Sequence, residues 1–335
     1  MRIMRSSGTG FAAATFALFV AALDARSDTI GWWRMDDAGA SGGATIVTTA
    51  SEVNSTTLDG TGFSNARYGT DVPGAFIFDP QTGVYRVNQY SLDASTNNAQ
   101  VRITNNPLLD PVTPDASFTF EMFIKLNGEP GSYDSFVSRI QNGPTNDTAA
   151  ASDRRAWQID FDHGTGTNAF GEIRSRWDTP GYPPLDFNRV VSGKAIFVDT
   201  AGGTGNPADY TNADPYLEGD GTNDLSSLVW HHIALTFNAS NQVLTIWTDY
   251  TQGSSQTLLE TYEHPAANLI FGKLGNAGYG LFIDEVRYSA GVLGSDQFLV
   301  ATAIPEPASL SLIIVGLVAC GLLHRRNKPT RSTAP

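Results

Sequence analysis

Cysteine is almost absent: Cys320 is the only one in 335 residues. Outside the segment that holds it, no disulfide, thiolate metal site or thiol nucleophile can be built. A chain of this size can bury enough surface to fold without disulfides. Histidine is scarce too, with five residues. His163, His264 and His324 fall in no ligand spacing such as H-x-x-x-H. His231 and His232 are adjacent, and neighbouring strand residues point to opposite faces, so they are expected to pack or hydrogen-bond rather than act as a pair. Basic residues are few, 21 against 34 acids. Residues 28–304 hold 14 of those bases and 32 of the acids, a net charge of −18. That balance argues against nucleic acid and anionic membrane surfaces as partners. No long amphipathic helix can be drawn between 28 and 304. Gly202-Gly203-Thr204-Gly205 lacks the Lys-Ser/Thr of a phosphate loop and reads as a turn.

What is present is short alternation. Phe118, Phe120, Met122 and Ile124 share one face of Ser117–Lys125, and Trp157, Ile159 and Phe161 share one face of Ala156–Asp162. Ile233, Leu235 and Phe237 do the same in His231–Asn238, and Gln242–Tyr250, Leu269–Leu274 and Leu281–Tyr288 read as further strands. Period-two patterning with Gly-, Asn- and Asp-rich breaks predicts half-buried strands in stacked sheets. The fold class is therefore all-β, one β-sandwich over 28–300, with Trp157, Trp230 and Trp247 as core candidates.

The two ends read as addresses. Arg2 and Arg5 precede a thirteen-residue apolar run, Phe11 to Leu23, and Ala25-Arg26-Ser27 offers small residues for cleavage, so 1–27 is a predicted signal peptide. At the other end, Ile304-Pro305-Glu306-Pro307 in the linker 301–307 is followed by a hydrophobic segment within 308–324 and a basic tail, 325–335, that begins Arg325-Arg326. The apolar run Leu310 to Leu323 would rise about 21 Å as a helix, short of the roughly 30 Å hydrocarbon core. Its basic flank is expected to stay cytoplasmic, which puts the domain outside. The order Pro305, Glu306, Pro307, apolar helix, Arg325, Arg326 resembles the PEP-CTERM sorting signal of Gram-negative exosortase systems. That resemblance implies export, transient anchoring in the inner membrane by a single transmembrane helix, and processing by an exosortase-type enzyme before release to the cell surface or extracellular space.

The middle carries a second resemblance. Trp33-Arg34-Met35-Asp36-Asp37, Phe118-Thr119-Phe120-Glu121-Met122-Phe123-Ile124, Trp230-His231-His232-Ile233-Ala234-Leu235-Thr236-Phe237 and Phe282-Ile283-Asp284-Glu285-Val286-Arg287 occur in that order. Together they resemble the strand signatures of LamG-like domains, which implies a concanavalin A-like jelly roll. The stretch from Gln141 to Leu228 departs most from that pattern.

Laminarinase-type hydrolases of this fold carry Glu-x-Asp-x-(x)-Glu on one strand, which aims two carboxylates into one cleft. This chain has no such motif, so a non-catalytic protein is expected, with a hydrolase using another acid pair as the alternative and a structural surface protein as the second. Asp284 and Glu285 are adjacent, so alternation should separate them, one pairing with Arg287 or capping a turn. Calcium takes six to eight oxygen ligands, and two places offer them: Asp160 with Asp162, and the loop holding Glu218, Asp220 and Asp224. Trp177, Tyr182, Tyr210 and Tyr216 are expected in Gly/Pro/Asp-rich loops and are the candidates for stacking on a sugar. The expected partners are an extracellular polysaccharide or surface protein.

Overall fold

The computed structural model describes residues 28–109, 116–127, 135–140, 155–162, 172–177, 189–192, 229–258, 267–274 and 279–302. The signal peptide, the Pro-Glu-Pro linker, the apolar tail and the basic end lie outside those residues. Among the described residues no helix is long and apolar enough to cross a membrane. They form antiparallel strands, numbered here along the chain, and two short 3-10 turns.

Two eight-stranded sheets face one another. The first runs β16 (Thr251–Thr257), β15 (Val243–Thr248), β14 (His231–Asn238), β9 (Phe118–Asn127), β18 (Gly280–Ala290), β7 (Ser91–Asp93) and β4 (Arg67–Gly69). Strand β1 (Thr29–Trp33) pairs with the far end of β18, beyond the part that β7 occupies. The second sheet runs β13 (Arg189–Val191), β12 (Glu172–Trp177), β11 (Arg155–Asp162), β10 (Ser135–Ile140), β17 (Asn268–Leu274), β8 (Gln100–Ile103), β3 (Gly60–Phe63) and β2 (Thr48–Thr49). This is an all-β sandwich of antiparallel sheets.

The alternation read from the sequence sets the inner faces. Phe118, Phe120, Met122 and Ile124 of β9, Ile233, Leu235 and Phe237 of β14, and Trp157, Ile159 and Phe161 of β11 belong to one buried cluster. Phe118 stacks between Trp157 and Tyr288, with ring centroids 6.1 and 5.3 Å away. Trp33 is fully buried and donates its indole N–H to the Leu58 carbonyl at 2.7 Å, so the large ring enters the core without an orphaned donor. Of the three expected core tryptophans, Trp157 is in this cluster. Trp230 and Trp247 instead lean, partly buried, on two smaller clusters at the outer face of the first sheet. Gly62 marks a close approach: a Cβ there would sit 2.0 Å from the Ile46 carbonyl oxygen.

A third, three-stranded sheet has no counterpart among the strands expected from the sequence. It consists of β19 (Val300–Thr302), β5 (Phe76–Asp79) and β6 (Val84–Val87). It covers the outer face of the first sheet, where Ile77 and Leu299 pack on Trp32 and Phe123. Strand β9 is consequently buried on both faces for most of its length.

Replacing Phe120 by Ala removes a fully buried ring that packs 5.2 Å from Trp157. The expected loss is about 3–5 kcal/mol in urea unfolding, with the strand content of the folded state kept in circular dichroism.

Candidate functional site

Arg34, Asp36, Glu121, His232, Asp284, Glu285 and Arg287 of the four sequence motifs come together at one place. They meet between the outer face of the first sheet and the third sheet. A bulge in β18 creates the arrangement. Asp284 lies opposite Phe123 and Arg287 opposite Glu121, so two residues, Glu285 and Val286, face Met122 alone. Glu285 takes the left-handed backbone conformation at φ 51°. The bulge shifts the alternation by one residue. Val286 then enters the core, while Asp284, Glu285 and Arg287 all leave it.

The separation of Asp284 from Glu285 by strand parity is therefore overturned, because parity holds only in an unbroken ladder. Both are fully buried, and the Glu285 amide N–H donates to Asp284 at 2.8 Å. Neither pairs with Arg287. Glu285 accepts from the Trp32 indole at 2.6 Å and from Arg34 Nε at 3.0 Å. Arg34 reaches on to Asp36 at 3.0 Å, to Glu52 at 2.9 Å and to the Val87 carbonyl of β6 at 2.5 Å. Asp284 accepts from the Asn88 amide at 2.7 Å. Arg86 of β6 pairs with Glu52 and lies over the Trp32 ring, 5.1 Å from its centroid.

The second half of the layer centres on Arg287, which is fully buried. It bonds Glu121 of β9 through Nε at 2.7 Å, Asp79 of β5 at 2.8 Å and the Gln297 carbonyl at 2.9 Å. Glu121 also contacts His232 Nε2 at 2.9 Å and accepts from the Leu299 amide at 2.8 Å. The His232 ring stacks on Tyr250 with centroids 4.7 Å apart. His231 instead meets Asp249 at 2.9 Å. The two histidines thus contact separate acids, as their adjacency on a strand requires.

The protonation equilibria follow from these partners. Burial works to raise the Glu121 carboxyl, but Arg287 and His232 outweigh it and hold it below the ordinary carboxylate range. Burial pushes Glu285 from 4.5 to about 8, despite Arg34 beside it. Burial, and then the neighbouring Glu285, raise Asp284 well above its usual value. These last two resemble a tuned acid pair, yet neither has exposed surface. Their chemistry is that of a closed joint between sheets rather than of an open cleft.

The calcium candidates fall elsewhere. Asp160 lies on the face of the second sheet that points away from the core, fully buried, and its carboxylate accepts from Arg174 Nε at 2.5 Å and Gln158 Nε2 at 2.6 Å. Asp162 ends β11 opposite Glu172, and Trp177, expected in a loop, instead ends strand β12 opposite Trp157 in the backbone pairing. Tyr182, Tyr210, Tyr216, Glu218, Asp220 and Asp224 lie outside the described residues. Among the described residues no group of three or more His, Cys, Asp or Glu side chains could hold a metal. Asp284 beside Asn88, whose Oδ1 makes no hydrogen bond, brings together two oxygen-bearing side chains. Two side chains fall short of the six to eight oxygens that Ca²⁺ takes, so this pair does not fit that ion.

No protein-family model matches this chain, and no curated protein matches it in sequence. Among solved structures it is similar to one of botulinum neurotoxin type C, a protein that depends on interaction with two ganglioside molecules to enter cells. That likeness has 11% identity and a TM-score of 0.49, over 83% of this chain and 50% of the other. It is similar to the botulinum neurotoxin serotype D/C binding domain at 11% identity and a TM-score of 0.47, over 81% and 50% of the two chains. It is also similar to a Trypanosoma rangeli sialidase at 9% identity and a TM-score of 0.44, over 80% and 31%. The chain thus spans about half the length of the toxin structures. None of these likenesses bears on what this chain binds.

Glu285 gives the layer a pH signature. A carboxyl raised on folding means that the folded state binds more protons than the unfolded one between pH 4.5 and about 8. Its contribution is fully present below that window and is lost as pH rises through it. Unfolding by urea from pH 5 to pH 9 should show the native chain losing more than about 1 kcal/mol relative to Glu285→Gln. Parallel pH profiles for the two would remove the assignment.

Proposed function

We propose that this chain is an exported, surface-sorted LamG-like domain protein that binds a glycan or a protein at the cell surface or in extracellular matrix and carries out no catalysis. One observation supports the LamG-like reading. Four motifs from distant parts of the sequence supply Arg34, Glu121, His232, Glu285 and Arg287, and these form one buried polar layer. A shared signature with that role preserves a fold, and the chemistry of recognition then lies on other surfaces. The Pro305-Glu306-Pro307 motif, the apolar run after it and the Arg325-Arg326 flank support sorting by an exosortase-type enzyme at the inner membrane of a Gram-negative cell.

In this reading the binding residues are the aromatics of the long Gly/Asn/Asp-rich stretch: Trp177, Tyr182, Tyr210 and Tyr216. Calcium would be held by Glu218, Asp220 and Asp224, since the Asp160 carboxylate is committed to Arg174 and Gln158. The experiment is a glycan array with the exported domain, with and without Ca²⁺, run beside an assay for new reducing ends on the same polysaccharides. Retention of a polysaccharide without new reducing ends is the expected result. Release of reducing ends would replace the reading with a hydrolase, and a blank array in both conditions would favour a protein ligand or a purely structural role.

A further inference from the structure

The third sheet presents to solvent a face that soluble domains ordinarily cover. Strand register places Phe76 beside Val87 and Thr302, and Phe78 beside Tyr85 and Val300. Their neighbours Ile77 and Asp79 are buried, and Arg86 turns in over Trp32, so these side chains occupy the opposite, outward face. Tyr85 is 52% exposed and Val87 51%, and the Phe78 and Tyr85 rings lie 4.6 Å apart. The outward row of Phe76, Phe78, Tyr85, Val87 and Val300 carries no charge, in a domain whose net charge is −18. A contiguous apolar patch of this kind on a soluble domain marks an interaction surface.

The position of this face in the chain selects its partner. Strand β19, which contributes Val300, is the last strand described, and Leu310 of the apolar run follows Thr302 by eight residues. Eight extended residues reach at most about 29 Å. When that run sits in a bilayer, the third sheet is held within that distance of its surface. A tyrosine ring such as that of Tyr85 suits the lipid–water interface.

We propose that the outward face of the third sheet docks on the membrane surface while the chain is anchored. The proposal rests on the reading of the tail as a membrane segment. Contact through an uncharged row is apolar, so it forms on neutral phosphatidylcholine and resists salt, unlike the electrostatic adhesion that the acidic domain would oppose.

The test uses the full chain in phosphatidylcholine vesicles, with one fluorescent thiol label per protein. Natural Cys320 reports the tail. Tyr85→Cys and Val47→Cys, each combined with Cys320→Ser, report the proposed face and a 72%-exposed control position. A lipid-borne quencher should lower emission at positions 320 and 85 about twofold, in low and in 1 M salt, and leave position 47 unchanged. Quenching at 320 with none at 85 would overturn the docking and leave the anchor standing. No quenching at 320 would remove the anchor reading and the docking with it. A label at 85 shielded from aqueous iodide yet untouched by the lipid quencher would assign the face to a second copy, and that too would overturn the proposal.

Discussion

Buried charge on the outer face of β18 is the constraint on which the rest of the structure depends. Removing a carboxylate or guanidinium from water costs several kcal/mol unless each lone pair and proton is answered. The third sheet can close over the first only because those answers come from both sides. Asp79 of β5 meets Arg287, and the Val87 carbonyl of β6 meets Arg34. Glu121 and Glu285 complete the two guanidinium sites from β9 and β18. The pairing is specific in direction and distance, so it fixes where the small sheet sits in a way that the Ile77–Trp32–Phe123–Leu299 cluster could not achieve alone.

The same arrangement bears on function. Glu121, His232, Asp284 and Glu285 are the residue types from which hydrolytic sites are assembled, and here each is buried and committed to a neighbour. Asp284 is the least compensated, facing an amide rather than a cation, and its raised protonation equilibrium is the physical consequence. Among the described residues, the outward row of the third sheet differs from these in kind: it is uncharged, and Tyr85 and Val87 are exposed.

Much of the sandwich was legible in the sequence, and particular residues show why. β9, β11, β14 and β18 announce themselves because one face of each is apolar and the other is not, or because they carry the residues of the resemblance. The third sheet did not, since Phe76-Ile77-Phe78-Asp79 and Val84-Tyr85-Arg86-Val87 carry apolar residues on both faces and leave no period of two. The bulge was equally hidden. A left-handed residue is usually announced by Gly or Asn, and here it is Glu285. That one residue moved Asp284 and Glu285 to the same side and gave Arg287 to Glu121 and Asp79. Asp160 looked like half of a cation site, yet its cation partner is Arg174, on the neighbouring strand and far along the chain. Cross-strand partners of that kind cannot be read from local spacing.

The central claim is that the motif residues act as a joint, and a double-mutant cycle between Glu121 and Arg287 tests it most directly. Urea unfolding of Glu121→Gln, Arg287→Met and the pair should give a coupling free energy above about 1 kcal/mol, as expected for contacting partners in one buried network. Single losses that add to within about 0.5 kcal/mol would contradict the account, because they would mean that the two side chains do not hold the sheets together through each other.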